Sequence, residues 1–248
     1  MELLEWDART YDALPLPHQQ WGSSAIKKLH LTGNETVIEF GCGTGRDAEA
    51  LIDLLPNGRV IAVDGSQQML DQLRIRLAKS LGRVTVLQAD IRGRIELPRL
   101  ADAAFSVATL HWLPDHQSVF RTIAGTLRSG ARLVVECGGA GNIAIVRKAL
   151  GEVSGFDGTE NWNFANAEET RKHLECAGFT EIEVRLVPDP ARFERGEQLE
   201  AYLATVVLGA QLREMAPEER HPFVHAVASK LPDPEIDYVR LQIEAIRL

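Results

Sequence analysis

Short apolar runs alternate along the chain with longer segments in which apolar residues recur every three or four positions. Five of the runs predict β-strands, at 36–40, 60–63, 84–88, 104–109 and 132–136. The segment 66–81 is typical of the predicted helices, because Met69, Leu73 and Leu77 fall on one face. Strands that alternate with helices in this way predict an α/β fold with a doubly wound, mostly parallel sheet.

The pattern changes after the fifth predicted strand. Helices are predicted at 142–153 and 167–177, and strict alternation predicts further strands at 181–187 and 238–246. The segment between these two strands has a mainly helical pattern. We therefore expect a single domain over 1–248, with a helical entry segment at 1–30 and a helical cap inserted at 190–234 before the last strand.

The first predicted strand leads directly into three glycines, Gly41, Gly43 and Gly45. Glycine adopts positive φ cheaply and lets a ligand approach the backbone closely, and the first amides of the following helix lack intrahelical partners. The second strand ends at Asp64, where nucleotide-binding α/β folds place an acid that accepts hydrogen bonds from ribose. The loop and the acid together predict a nucleoside site.

The spacing of the glycines indicates which nucleoside is bound. A dinucleotide fingerprint reads G-x-G-x-x-G, whereas here Arg46 occupies the position of the third glycine. Glu39, just before the loop, would repel a pyrophosphate and attract an ammonium group. S-adenosylmethionine, with its sulfonium and its ammonium, therefore fits better than NAD, and a nucleotide-dependent oxidoreductase stays the alternative.

Four segments, at 39–45, 63–70, 88–90 and 110–116, resemble in order and spacing those of the class I S-adenosylmethionine-dependent methyltransferases. The last of them, Leu-His-Trp-Leu-Pro-Asp-His, is most similar to the trans-aconitate methyltransferase-like branch, which acts on small molecules. The resemblance implies a Rossmann-like sheet of seven strands, the last one antiparallel. It also implies that the cap is a lid over the substrate, and a helical layer packed on a sheet edge is the open alternative.

The resemblance further implies the cofactor contacts. The glycine loop would line the methionine part, Glu39 would bind its ammonium, Asp64 the ribose and Asp90 the adenine amine. Structural roles stay open for several of these residues, such as helix capping for Asp64 and core packing for Met69. The predicted cofactor-binding residues are Trp6, Tyr11, Glu39, Gly41, Cys42, Gly43, Gly45, Asp64, Gly65, Met69, Asp90, Ile91 and Leu110.

Methyl transfer from a sulfonium is an in-line displacement with a neutral leaving group, so catalysis rests mainly on proximity. His111 is the candidate general base for an acceptor that must lose a proton, and orientation of a ligand is its alternative role. Strand alternation predicts that Trp112 faces away. The predicted substrate-binding residues are His111, Cys137, Gly138, Asn161 and Trp162. Arg192, Arg195 and Arg213 are available in the cap, but none can be matched to a carboxylate-binding role.

The composition of the chain restricts the classes of partner that we expect the protein to bind. The formal net charge of −8 argues against nucleic acid and against anionic membranes. The three cysteines are far apart and indicate reduced thiols without a metal site. No signal peptide or membrane span is evident, so a cytoplasmic location is expected. We expect an O-, N- or C-methyltransferase of a small molecule. A non-catalytic S-adenosylmethionine-binding protein is the alternative, and the oligomeric state stays open.

Overall fold

The computed structural model describes residues 5–13 and 18–248. The strands are β1 Thr36–Phe40, β2 Arg59–Asp64, β3 Val84–Gln88, β4 Ala101–Val107, β5 Leu127–Gly138, β6 Phe179–Pro188, β7 Ala191–Arg192, β8 Glu235–Ile236 and β9 Val239–Arg247. The α-helices are α1 Ala8–Ala13, α2 His18–Lys27, α3 Arg46–Leu54, α4 Gln67–Arg76, α5 His116–Thr126, α6 Ala144–Ser154, α7 Ala167–Cys176, α8 Glu197–Tyr202, α9 Gly209–Arg213 and α10 Pro217–Lys230.

Seven of the strands form one sheet in the order β3-β2-β1-β4-β5-β9-β6. The pairings among β1 to β5 are parallel, and β9 is antiparallel to both of its neighbours. The predicted seven-stranded, mostly parallel fold is therefore confirmed. The chain order reverses between β1 and β4, and a crevice for ligands forms at such a point, outside the carboxyl ends of the strands.

Helices cover both faces of the sheet because the side chains of each strand alternate between the two faces. In β1, Val37 packs into a cluster with apolar residues of α2, α3 and α4. Ile38 and Phe40, on the opposite face, pack with residues of α5 and α7. All three side chains are fully buried, as expected for a central parallel strand.

The helix predicted over 66–81 is shorter in the structure. Ser66 caps it as predicted, since its hydroxyl accepts a hydrogen bond from Met69 N at 3.2 Å. The helix ends at Arg76, and a 3₁₀ turn at Leu81–Arg83 returns the chain to β3. Leu77 is still buried, whereas Leu81 is exposed, so no apolar contact extends the helix further.

Between β6 and β9 lie α8, a π-helical turn at Leu203–Val207, α9 and α10. Their apolar residues form a cluster with Val146 and Leu150 of α6 and with Trp162. The predicted insertion at 190–234 is therefore helical here, and its action as a lid stays a prediction. Part of the predicted entry segment, at 1–4 and 14–17, lies outside the described residues. None of the helices in the described ranges has the length and apolarity needed to span a membrane.

Candidate functional site

A cavity of about 410 Å³ opens at the carboxyl ends of β1, β2, β4 and β5. This volume lies in the range typical of small-molecule and cofactor sites. Many of the predicted site residues line it although they are far apart in sequence: Trp6, Tyr11, Gly41, Gly43, Asp64, Gly65, Met69, Asp90, Ile91, His111, Gly138, Asn161 and Trp162. Glu39 and Cys42 line a side chamber of about 60 Å³, which shares Gly41 and Gly43 with the main cavity.

Three predicted site residues are not at the cavity, which corrects the sequence assignment. Leu110 and Cys137 are fully buried in the core below it, and burial raises the pKa of the Cys137 thiol to about 12. Gly45 has φ +83° and faces the helix α4, where a Cβ atom would lie 2.7 Å from Leu73 Cγ. The positive φ and this close approach to Leu73 require glycine at position 45 independently of any ligand.

The glycine loop and the acid of the second strand meet in a direct contact. Gly43 N donates to Asp64 Oδ2 at 2.8 Å, and Ser66 N donates to Asp64 Oδ1 at 2.9 Å. Ser66 and not Asp64 caps α4. Burial raises the pKa of Asp64, and the hydrogen bonds from Gly43 N and Ser66 N favour its ionised form. An ionised carboxylate has about four acceptor positions, so Asp64 has acceptor capacity left for a ligand.

The side chamber holds two acidic side chains, Glu39 and Asp47. Burial, together with Asp47 and Asp64, raises the pKa of Glu39 well above its ordinary value, and burial raises that of Asp47 to about 6. Glu39 Oε2 is buried and has no hydrogen-bond partner among the described residues. An ammonium group placed here would satisfy that oxygen and stabilise the carboxylates.

The third predicted acid lies farther along the cavity. The Asp90 carboxylate accepts hydrogen bonds from Arg92, with Nε 2.8 Å from Oδ1 and Nη2 2.5 Å from Oδ2. Together with a hydrogen bond from Arg92 N at 2.9 Å, these bonds lower the pKa of Asp90, so the carboxylate stays ionised, and an amino group of a ligand would share its oxygens with Arg92. Met69 and Ile91 form apolar lining of the same cavity. The surroundings suit a flat heterocycle with an amino group.

The N-terminal segment lies across this end of the cavity and is held there by hydrogen bonds of two carboxylates, Glu5 and Asp12. The sequence did not indicate either contact. The Glu5 carboxylate accepts hydrogen bonds from the first residues of α4. The Asp12 carboxylate accepts one from Thr44 Oγ1 at 2.9 Å and others from two arginine side chains. Trp6 and Tyr11 lie between these two anchors and line the cavity. Because the anchoring contacts join distant parts of the chain, no local motif could reveal them.

Aromatic side chains line the other end of the cavity. Trp162 and Phe164 are stacked with their ring centres 5.8 Å apart, and Trp112 lies edge-on to Trp6 at 5.3 Å. The prediction that Trp112 faces away is wrong. The strand β4 ends at Val107, and the 3₁₀ turn Leu110–Trp112 follows, so the two-residue alternation of a strand no longer applies.

His111 lies in this aromatic region as a neutral ring. Burial, with Arg240 and His116 nearby, lowers its pKa to about 3. Its Nδ1 atom accepts a hydrogen bond from Gly138 N at 3.4 Å, which leaves the proton of the neutral ring on Nε2. A ring in this state donates a hydrogen bond and is a weak base, so the geometry favours orientation of a ligand over the general-base role.

Arg240 also lines the cavity, and the sequence analysis did not identify it. It lies near the start of β9, where Arg, Gln and Glu alternate with apolar residues. That pattern is typical of a strand with one solvent-exposed face, so the sequence did not indicate that Arg240 is buried at a cavity. In the structure the side chain is only 2% exposed.

A family model described as a methyltransferase domain matches residues 37–130. The chain is 29% identical over 131 residues to a trans-aconitate 2-methyltransferase of Azoarcus sp. (strain BH72), over 53% of this chain and 50% of that protein. It is 27% identical over 189 residues to an uncharacterized methyltransferase of Schizosaccharomyces pombe, over 70% of each protein.

Residues 37–130 match a methyltransferase domain family, and the chain is similar in sequence to trans-aconitate 2-methyltransferases.

A solved structure shows the same fold. The phosphoethanolamine N-methyltransferase 2 of Haemonchus contortus, in complex with S-adenosylhomocysteine, superposes with a TM-score of 0.65 at 19% identity, over 92% of this chain and 52% of that chain. The matched region spans about half the length of the trans-aconitate 2-methyltransferases. S-adenosylmethionine is the cofactor of the family, and the unpartnered Glu39 oxygen fits its ammonium group.

We predict that the two glycines of this methyltransferase loop have separable roles. Gly45→Ala should lower the free energy of unfolding by about 2–4 kcal/mol, because the residue has positive φ and its Cβ would clash with Leu73. Gly43→Ala should cost about 1 kcal/mol, since no atom lies within 4 Å of its Cβ, but should weaken binding of S-adenosylhomocysteine. Urea unfolding and calorimetry measure the two effects, and equal destabilisation would contradict the assignment.

We predict that Asp47 reduces the stability of the unliganded protein above pH 6. Because burial raises its folded-state pKa to about 6, the folded protein holds this proton more tightly than the unfolded chain does. Stability is therefore lost as pH rises from about 4, the unfolded value, through 6. Asp47→Asn should raise the melting temperature at pH 7.5 and leave it nearly unchanged at pH 4.5. A shift of the same size at both pH values would contradict this prediction.

We predict that the His111 ring stays neutral at pH 5. Its pKa of about 3 follows from burial beside Arg240, whereas an unfolded histidine titrates near pH 6.5. The ring resonances, assigned by their loss in His111→Gln, should not shift in an NMR titration between pH 8 and pH 5. In urea the same ring should titrate normally. A midpoint above pH 6 in the folded protein would restore the general-base hypothesis.

Proposed function

We propose that this chain is an S-adenosylmethionine-dependent methyltransferase of a small molecule. The observation that carries the proposal is the continuity of the cavity. The residues that fit the cofactor, such as Gly43, Asp64 and Asp90, and the aromatic residues Trp112 and Trp162 line the same space. A cofactor held by the first group therefore faces a compact acceptor held by the second, without an intervening wall.

Each polar group at the cofactor end has one task in this proposal. Glu39 and Asp47 provide the carboxyl groups that ionise beside the ammonium, Asp64 accepts hydrogen bonds from the ribose, and Asp90 accepts one from the adenine amine. When bound, S-adenosylmethionine supplies a methyl group on a sulfonium. Trp6 and Tyr11, held by the two anchors, cover the site and keep water out.

The chemistry at the acceptor end is mainly positioning. His111 donates through Nε2, and this donor orients an acceptor that already carries an available lone pair. Holding such a nucleophile at van der Waals distance from the methyl group contributes roughly 7–11 kcal/mol to catalysis. At the cofactor end, burial raises the pKa of the Tyr11 hydroxyl to about 12, so this group stays protonated near neutral pH.

We also propose that the insertion between β6 and β9 acts as the lid. Val206 and Val207 of its π-helical turn and Ala210 and Arg213 of α9 line the cavity. Arg213 Nη1 donates to the main-chain oxygen of Glu5 at 3.3 Å, so the insertion touches the N-terminal segment. These contacts support a closable cover more than a helical layer confined to the sheet edge.

Catalysis is tested by transfer of a labelled methyl group from S-adenosylmethionine across a library of small metabolites. Formation of a labelled product is the expected result. Tight binding of S-adenosylhomocysteine without any transfer would favour the alternative, a non-catalytic protein that binds the cofactor. Preferential stabilisation by NAD in a thermal-shift assay would favour the oxidoreductase.

We predict that Asp64→Asn weakens binding of S-adenosylhomocysteine about tenfold, since it replaces charge-assisted hydrogen bonds to the ribose by weaker ones. Asp102→Asn is the matched control, because the Asp102 carboxylate also accepts a backbone hydrogen bond, from Thr36 N at 2.7 Å, but does not line the cavity. Titration calorimetry should show a loss of affinity for S-adenosylhomocysteine only in Asp64→Asn. Equal affinities in both variants would contradict the ribose assignment.

A further inference from the structure

The guanidinium of Arg240 is buried at the acceptor end of the cavity. Arg240 pairs with Gly138 across β5 and β9, and Gly138 N in turn bonds to His111. The side chain is 2% exposed and lines the cavity. Arg240 therefore lies near the neutral His111 ring, which has a donor at Nε2.

The hydrogen-bonding capacity of this guanidinium is largely unused. Its Nε and Nη2 atoms are buried and have no hydrogen-bond partner among the described residues. The flat face is covered by Trp21, whose ring centre lies 3.6 Å from Arg240 Cζ. This contact stabilises the charge by a cation–π interaction but satisfies none of the N–H groups.

The neighbouring carboxylate of Glu136 does not satisfy these N–H groups. Glu136 Oε2 lies 4.0 Å from Arg240 Nη2, beyond hydrogen-bond distance, and Lys28 Nζ lies 3.9 Å from the other oxygen of Glu136. A buried guanidinium left without hydrogen bonds is costly. Its planar fork matches a carboxylate, which it can bind through two parallel hydrogen bonds.

We infer that the methyl acceptor carries a carboxylate that binds Arg240, attached to a flat apolar body that contacts Trp112 and Trp162. The inference rests on the proposed function and adds the substrate class. A monoanion fits better than a phosphate dianion, because Glu136 already offsets part of the positive charge and a second negative charge would lie unpaired. Arg240 is thus a specificity-determining residue, and His111 Nε2 is a second donor beside it.

The test uses the protein saturated with S-adenosylhomocysteine and matched pairs of probes, benzoate with benzamide and cinnamate with cinnamamide. At least one acid should bind ten times or more tightly than its amide, about the contribution of a charge-assisted pair. In wild-type protein that acid should also shift the Nε–H resonance of Arg240 in a ¹⁵N NMR spectrum. This readout requires no turnover, and it stands if a variant at this position fails to fold.

Arg240→Gln should reduce the affinity for the acid to that for the amide, and Arg240→Lys should retain part of the preference. Affinity for S-adenosylhomocysteine should stay within about twofold in both. Arg192→Gln, which removes an 87% exposed guanidinium, is the charge-matched control and should change neither affinity.

Equal binding of every acid and its amide, no binding of any probe, or an acid preference that survives in Arg240→Gln would overturn the inference. Tighter binding of phenyl phosphate than of benzoate would overturn the choice of carboxylate. If wild-type protein fails to bind S-adenosylhomocysteine, the proposed function fails, while the acid–amide comparison on the unliganded protein still decides the role of Arg240.

Discussion

The parallel register between β1 and β2 is the constraint on which the site depends. Phe40 lies opposite Val63, so both strands end at the same level, and the next residues place the Gly43 amide 2.8 Å from the Asp64 carboxylate. The main-chain oxygen of Val63 also accepts hydrogen bonds from Gly41 N and Cys42 N, which extends the pairing into the loop. A slip of one residue would turn every side chain of one strand to the opposite face and separate the loop from the acid.

The cavity is electrically polar along its length. Buried carboxylates surround the side chamber at one end, and a buried guanidinium lies at the other, each with polar atoms that have no partner among the described residues. Both features reduce the stability of the unliganded protein, because buried charge is costly unless it is paired. Ligand groups of the opposite charge would compensate these buried charges, so the destabilisation of the unliganded protein would be recovered as binding free energy. The two ends differ in the sign of their charge, and this difference determines the orientation of the ligands.

Two segments that lie outside the parallel strands, the N-terminal segment and the insertion between β6 and β9, complete the walls of the cavity. The N-terminal segment is anchored at Glu5 and Asp12, and the insertion is in contact with it through Arg213. Trp6, Trp112 and Trp162 come from three different parts of the chain and meet around one space. Aromatic walls of this kind exclude water and strengthen the hydrogen bonds made by His111 and by the carboxylates.

The sheet, the glycine loop and the acids at the strand ends are predictable from the sequence, because periodicity and short motifs are local and parallel strands bring their carboxyl ends together. The sequence misplaced Gly45, Leu110 and Cys137, whose neighbours in the motif do face the cavity. The direction of Trp112, the low pKa of His111, the anchor at Asp12 and the burial of Arg240 follow from the three-dimensional packing of the chain. Each of these depends on desolvation or on contacts between residues distant in the chain, and neither is encoded in a local pattern.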